Sequence, residues 1–373
     1  MVRPVQCQAR QGLASLPEMP RAFTYAPPAS RVLFGATSLD RLPEELAHLG
    51  LKKALILCTP GRAIHAERLS KRLGTRSVGV YAGAIMHVPA DTAREARRIA
   101  VERNADGCVA IGGGSAIGVA KAIALETGLP IVAVPTTYAG SEMTAIYGLT
   151  EDGIKKTGRS ARVLPRTVIY DPALTLDLPP TIAGPSGMNA LAHCIEALYA
   201  PDGNPLTSLL AAEGLRALSR SLPIVVQARG DLDARADAQY GACLAGMSLN
   251  ATSMGLHHKL CHTLGGSFNL PHAEVHAVIL PHATAFNRES APDAMQIAAD
   301  ALGASDPALA LFDLATRLRA PLSLLEIGMP ADGLDRAAKL ATASPYPNPR
   351  SVDRDSVREL LERAFNGMPP VVR

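Results

Sequence analysis

From Ala54 to Tyr170 the chain repeats one pattern, a short apolar run followed by a longer amphipathic or glycine-led stretch. The runs are Ala54-Leu-Ile-Leu57, Val78-Gly-Val80, Cys108-Val-Ala-Ile111, Ile131-Val-Ala-Val134 and Val168-Ile-Tyr170. Such runs suit strands, and the stretches between them suit helices. Ala90 to Asn104, for example, places Ala93, Ala96, Ile99, Ala100 and Val101 roughly on one side. Strand and helix in alternation predict a parallel sheet covered by helices on both faces, because a parallel neighbour is reached only through a crossover. After Asp171-Pro172 the strand-like runs stop and the pattern is helical. The expected organisation is an extension over 1–24, low in structure, an α/β domain over 25–180 and an all-helical domain over 181–373. Breaks between helices are expected at Pro179-Pro180, Gly184-Pro185, Pro201 to Pro205, Gly230, Gly265-Gly266 and Pro345 to Pro349.

A length of 373 residues suits two domains and leaves a cleft between them. With 37 Lys and Arg against 34 Asp and Glu, the net charge of +3 points to no nucleic-acid partner. No apolar run reaches the roughly 18 to 20 residues that cross a bilayer, so no membrane partner is expected. The start, Met1-Val-Arg-Pro-Val-Gln-Cys7, lacks the apolar segment of a secretory signal, and the six cysteines are scattered without a C-x-x-C. A soluble, cytoplasmic protein with free thiols is the expectation.

Two glycine- and hydroxyl-rich turns follow consecutive strands. Gly112-Gly113-Gly114-Ser115 leads into a helix, where glycines let backbone N–H groups approach a diphosphate and the helix terminus favours negative charge. Ser115 can cap that helix or bond a phosphate oxygen. The turn is neither G-x-G-x-x-G nor a Walker loop, and a plain tight turn remains the alternative. Pro135-Thr136-Thr137-Tyr-Ala-Gly140-Ser141-Glu142 puts Thr136, Thr137 and Ser141 at the carboxyl end of the next strand, where open α/β sheets bind ligands. An ordinary capping-rich loop reads equally well from that segment alone.

In the helical half, Asn189 and His193 are four apart, as are His258 and His262, so each pair shares a helix face. His272 follows in a Pro271-His272 turn. A lone histidine is more often a satisfied core or surface residue than a ligand; two such pairs and a further histidine form a pattern that resembles a metal cage. One corner is a neutral amide, where a divalent cation favours a carboxylate. His257, His276 and His282 fall off these faces and read as structural or peripheral, and His87 as a loop residue near the cofactor.

These segments together, from about Tyr25 to near the C-terminus, resemble the iron-containing alcohol dehydrogenase superfamily. The resemblance implies an N-terminal nucleotide-binding α/β domain with a parallel sheet, an all-helical C-terminal domain, and a nicotinamide cofactor in the cleft. It also implies a homodimer. In metal-dependent members the cation is held by Asp, His, His and His, matching Asn189, His193, His258 and His272, while His262 matches a catalytic-pocket histidine. Three departures stand out: Gly118 replaces an Asp, the second loop is shortened to Thr137-Tyr-Ala-Gly140, and Asn189 replaces the metal-binding Asp. All three resemble the branch that reduces the carbon–carbon double bond of 2-maleylacetate to 3-oxoadipate with NADH or NADPH, in bacterial breakdown of resorcinol-type and chlorinated aromatics.

That chemistry makes Asn189 intelligible. Hydride added to an alkene conjugated with a ketone leaves a delocalised enolate, which hydrogen-bond donors can stabilise without a Lewis acid. No metal is predicted; were one to bind, its ligands would be His193, His258 and His272. His262 and His272 are assigned to polarising the ketone or delivering the proton, and Asn189, His193 and His258 to positioning the dicarboxylate substrate. Gly112, Gly113, Gly114, Ser115, Thr136, Thr137, Ser141 and Thr59 are assigned to the cofactor. No acidic residue ends the first run at Leu57-Cys58-Thr59, so NADPH stays open beside NADH. Lys155, Lys156, Arg159 and Arg162 are candidates for the substrate carboxylates or a solvated basic stretch. The alternative function is a metal-dependent alcohol or polyol dehydrogenase.

Overall fold

The computed structural model describes Tyr25, residues 30–151 and residues 154–371. The expectation for residues 1–24 lies outside them. The strands of the main sheet are β1 (Arg31–Phe34), β2 (Ala54–Leu57), β3 (Ser77–Tyr81), β4 (Gly107–Gly112), β5 (Ile131–Pro135) and, after a hairpin of β6 (Ile146–Glu151) and β7 (Ile154–Arg159), β8 (Thr167–Tyr170). Their order is β1-β8-β5-β4-β2-β3, parallel throughout.

Side chains alternate across the sheet, so one face packs on α1 (Leu42–His48) and α2 (Ala63–Leu73) and the other on α3 (Ala90–Glu102) and α4 (Gly114–Thr127). Ala54, Ile56, Val109 and Ile111 face the first pair; Leu55, Leu57, Cys108 and Ala110 face the second. Burial on both faces is why these runs carry no polar alternation. β1 escapes the sequence reading because it is a four-residue edge strand with only Leu33 buried.

The helical half comprises α5 (Pro180–Tyr199), α6 (Pro205–Gln227), α7 (Leu232–Ala251), α8 (Leu256–Phe268), α9 (His272–Asn287), α10 (Pro292–Leu302), α11 (Pro307–Arg317), α12 (Leu334–Ala341) and α13 (Arg354–Phe365). Every residue of α5 from Ala183 to Ala197 is buried, which makes it the central helix of this half. Two expected breaks do not occur: α5 runs through Gly184-Pro185, and α8 through Gly265-Gly266. A Cβ on Gly184 would lie 2.9 Å from the Leu318 carbonyl oxygen, so this glycine serves a close approach and not a turn. A proline inside a helix costs about 3 kcal/mol. Each large apolar side chain fully buried returns about 1.5–3 kcal/mol, and α5 buries Met188, Leu191 and Ile195. Packing therefore outweighs the local signal.

Candidate active site

The chain leaves β2 for β3 on one side and returns to β4 on the other, so the carboxyl ends of β2 and β4 flank a topological switch point, where open α/β sheets bind ligands. Thr59 lies just past β2 and Gly112 ends β4. Gly112 has φ 151°, a conformation that L side chains rarely adopt. Gly113 caps α4, and a Cβ there would fall 2.8 Å from Thr137 Cγ2 and Oγ1. Ser115 is not the cap; it sits within the first turn of α4. The unpaired N–H groups of that turn suit a diphosphate.

The neighbouring loop is fixed from behind. Thr136 N–H donates to Gly112 O at 3.0 Å, which ties the two turns together. The fully buried Lys121 ammonium donates to Ser141 O (2.7 Å), Thr144 Oγ1 (2.9 Å) and Ile146 O (2.7 Å). Burial pulls Lys121 down to about 7 and pushes Glu142 up to about 7, with the Tyr170 hydroxyl donating to Glu142 at 2.9 Å. Both were invisible as partners in the sequence. A Cβ on Gly118 would lie 2.6 Å from Val88 Cγ2, so a larger residue at 118 would displace that loop. Val88 and His87 both have positive φ, 46° and 64°, strained for non-glycine residues and most of all for a β-branched one.

Across the seam, Ser186 Oγ on α5 accepts from Tyr138 N–H at 2.9 Å, and Gln239 on α7 donates to Pro135 O at 3.2 Å. A Cβ on Gly140 would fall 3.1 Å from His193 Nδ1, so the shortened loop brings backbone directly against this histidine. Asn189 lies one turn before His193 on α5, and both are buried. From α8, His258 stacks on His193 with ring centroids 5.1 Å apart, and His262 lies 6.1 Å from His258. His272 opens α9, edge-on to His276 at 4.5 Å. The structure thus gathers His193, His258, His262 and His272 beside Asn189 where the β5 loop meets α5. His87 reaches the same place from the α/β domain, its Nε2 donating to Leu270 O at 3.3 Å and its ring 6.3 Å from His272.

Three residues of this cluster were missed or set aside in the sequence. Glu196 is wholly buried on α5 and accepts from His258 Nδ1 (2.7 Å), His257 N–H (2.9 Å), Gly255 N–H (3.0 Å) and the Tyr199 hydroxyl (3.2 Å). A carboxylate only accepts, so His258 carries a proton on Nδ1 and directs Nε2 away from Glu196. Residues 189, 193 and 196 follow i, i+4, i+7 spacing, a signal that would have found it. His257 and His276 are not peripheral. They share a 2.9 Å hydrogen bond, and His276 lies 5.1 Å from the His258 ring. Burial, reinforced by neighbouring histidines, holds His193, His257 and His276 well below the ordinary imidazole range, so all three are neutral at neutral pH. Three of the basic candidates are engaged elsewhere: Lys156 pairs with Glu151 at 2.9 Å, Arg159 donates to Asn250 O at 2.7 Å and Arg162 to Leu125 O at 3.3 Å; the Lys155 side chain lies outside the described residues.

A parallel sheet with its switch-point cradle, joined to a helical domain through a histidine cluster, defines a dehydrogenase-type architecture. The chain belongs to the iron-containing alcohol dehydrogenase family, whose models match residues 28–172 (Iron-containing alcohol dehydrogenase) and 183–365 (Fe-containing alcohol dehydrogenase family, C-terminal). Among its relatives, the maleylacetate reductase of Burkholderia cepacia is 56% identical over 94% of this chain and 99% of that one. The crystal structure of maleylacetate reductase from Rhizobium sp. strain MTP-10005 is 48% identical with a TM-score of 0.88, covering 94% of this chain and 99% of that one. A putative alcohol dehydrogenase from Ralstonia eutropha JMP134 superposes with a TM-score of 0.92 at 55% identity, over 94% of this chain and 100% of that one.

The family raises the question of a metal. His193, His258 and His272 with the Asn189 amide oxygen fit a divalent cation in number and donor type. Asn189 Oδ1 and His258 Nε2 are buried with no protein hydrogen-bond partner, and Glu196 behind His258 is the carboxylate–histidine arrangement that orients metal ligands. What the set lacks is an anionic ligand.

Proposed function

We propose that this protein reduces the carbon–carbon double bond of 2-maleylacetate to 3-oxoadipate, consuming one NADH or NADPH and one proton. What supports the reading is near-full-length likeness to maleylacetate reductases, joined to a histidine cluster whose one amide, Asn189, leaves it without an anionic ligand. The nicotinamide, when bound, supplies the hydride. Gly112, Gly113, Gly114 and Ser115 hold its diphosphate at the start of α4, and Thr59, Thr136, Thr137 and Ser141 complete its site. The dicarboxylate enters the cleft between this loop and α8. His262 and His272 donate hydrogen bonds to the ketone oxygen as charge develops there, and one of them delivers the single proton to the enolate carbon and is reprotonated from solvent. Asn189, His193 and His258 set the substrate's orientation.

A divalent cation on His193, His258 and His272 would act as a Lewis acid toward the ketone. Conjugation makes it dispensable, so the reaction proceeds without an obligatory metal. The protein works as a cytoplasmic homodimer in bacterial catabolism of aromatic compounds. The second reading, a metal-dependent alcohol dehydrogenase, is favoured by the Glu196–His258 pair. NADH and NADPH oxidation with maleylacetate and with a panel of simple aldehydes, each with and without EDTA, separates the two. Turnover of maleylacetate unchanged by EDTA is expected. Turnover of aldehydes alone, abolished by EDTA, would replace the proposal with the second reading.

A further inference from the structure

At the end of α9 remote from the histidine cluster lies an open cavity of about 290 Å³, lined by the C-terminal part of α9, α13 and the segment around Arg350. His272 and His282 are ten residues apart on α9, which sets the cavity wall about 15 Å along the helix axis from the catalytic end. It is therefore separate from the nicotinamide cleft.

Its lining has a consistent chemistry. Phe286 and Leu360, both buried, add an apolar part to a largely polar lining. His282 lines the cavity at 4% exposure, and its Nε2 is buried with no hydrogen-bond partner. Burial, aided by the Arg363 charge, brings His282 down to about 4, so it is a neutral imidazole under ordinary conditions. Two guanidinium groups also line the cavity. Arg350 lies over the Phe286 ring at 4.1 Å, and Arg363 donates to Pro369 O while its Nε is buried without a partner. Neither arginine has an acidic residue within ion-pair distance among the described residues, whereas Arg288, also on the wall, is paired with Asp306.

We propose that this cavity is a binding site for a small organic monocarboxylate, the carboxylate held between Arg350 and Arg363 and the apolar body set against Phe286 and Leu360. Guanidinium groups match the planar, bidentate geometry of a carboxylate. Phe286 and Leu360 favour a carbon body over an inorganic anion. The exposed Glu289 and Glu359 on the cavity wall repel multiply charged ions, phosphate and dicarboxylates included, so a single negative charge fits best. The unpartnered His282 Nε2 supplies one further polar contact at the base.

Isothermal titration calorimetry of sodium benzoate into the full-length protein saturated with NADH tests this, with benzamide as the neutral isostere and inorganic phosphate as the small anion. One benzoate per chain is expected, with benzamide and phosphate each at least about tenfold weaker, a difference of about 1.4 kcal/mol. Arg350→Met and Arg363→Met should each weaken benzoate by about tenfold while leaving maleylacetate turnover within about twofold. Glu359→Gln should tighten it, a gain that a merely damaged fold does not produce. Benzoate binding unmoved by both arginine variants, equal binding of benzamide, or equal binding of phosphate would overturn the assignment.

Discussion

Glu196→Gln isolates the carboxylate that stands behind the histidine cluster. Four donors converge on its two oxygens: Gly255 N–H and His258 Nδ1 on Oε2, His257 N–H and the Tyr199 hydroxyl on Oε1. A glutamine keeps the shape but presents one oxygen and one NH₂ group. If nitrogen takes the Oε2 place, Gly255 N–H is orphaned and His258 must move its proton to Nε2 to accept from the amide. If nitrogen takes the Oε1 place, His257 N–H is orphaned and the Tyr199 hydroxyl turns to accept. Either way one buried backbone donor loses its partner, which costs about 1–3 kcal/mol of stability. The first orientation also removes the Nδ1 proton that Glu196 now holds on His258. Loss of a carboxylate that orients a histidine in a metal site lowers metal affinity or activity by about 10- to 100-fold, and the same orienting role without a metal is expected to be worth about as much. The expected result is kcat reduced by that factor and a lower Tm. KM for NADH should change by less than about twofold, because the proposed cofactor cradle lies on β2, β4 and α4. Stopped-flow turnover with maleylacetate and calorimetric unfolding give both readouts. A variant with wild-type kcat, whatever its Tm, refutes the claim that Glu196 sets the His258 tautomer for catalysis.

Gly118→Asp should displace Val88, whose Cγ2 would lie 2.6 Å from the new Cβ, with a stability loss of about 1–3 kcal/mol and a raised KM for substrate; thermal melts and initial rates check it. His87→Ala removes the ring that reaches Leu270 O and lies beside His272, and should raise KM for maleylacetate more than KM for NADH, which a two-substrate kinetic matrix resolves. Glu142 titrates near 7 in the folded protein against about 4.5 unfolded, so the folded form takes up a proton as pH falls through 7 while the unfolded chain does not. The wild-type protein should therefore gain stability relative to Glu142→Gln between pH 7 and pH 4.5, as urea titrations across that window would show.

The parallel sheet was legible because strands buried on both faces announce themselves as unbroken apolar runs, and Ala54–Leu57 and Cys108–Ile111 are such runs. The paired histidines were legible because helical spacing is local. What escaped was whatever depends on a distant partner. Gly265-Gly266 and Gly184-Pro185 read as breaks, since the sequence cannot show that Leu318 sits where a side chain on 184 would be. Lys121 and Glu142 carry no sign in the sequence that they are buried partners of the same loop, since their burial follows from the packing of the β5 loop against α4 and β8. His257 and His276 read as peripheral, because a histidine that meets another 19 positions away carries no local mark. Glu196 is the exception, a residue that i, i+7 spacing from Asn189 already placed on the right face.

Asn189→Asp tests why this cluster carries an amide at all. Glu196, two turns further along the same buried helix, already places one carboxylate against His258. An aspartate at 189 would add a second acid at 4% exposure, and Asn189 Oδ1 has no protein donor to offset it. Without a cation, the new carboxylate must stay protonated or cost several kcal/mol in desolvation, so the metal-free variant should melt below the parent. With Zn²⁺ the position becomes the anionic fourth ligand beside His193, His258 and His272. Free metal at 100 times its Kd then returns about 2.7 kcal/mol, enough for a Tm rise of several degrees, and the parent should respond less. Thermal melts of both proteins against a Zn²⁺ series, with bound metal measured after desalting, supply the comparison. A variant whose Tm matches the parent with and without Zn²⁺ would show that residue 189 does not govern cation binding, and the chemical rationale for the amide would fail with it.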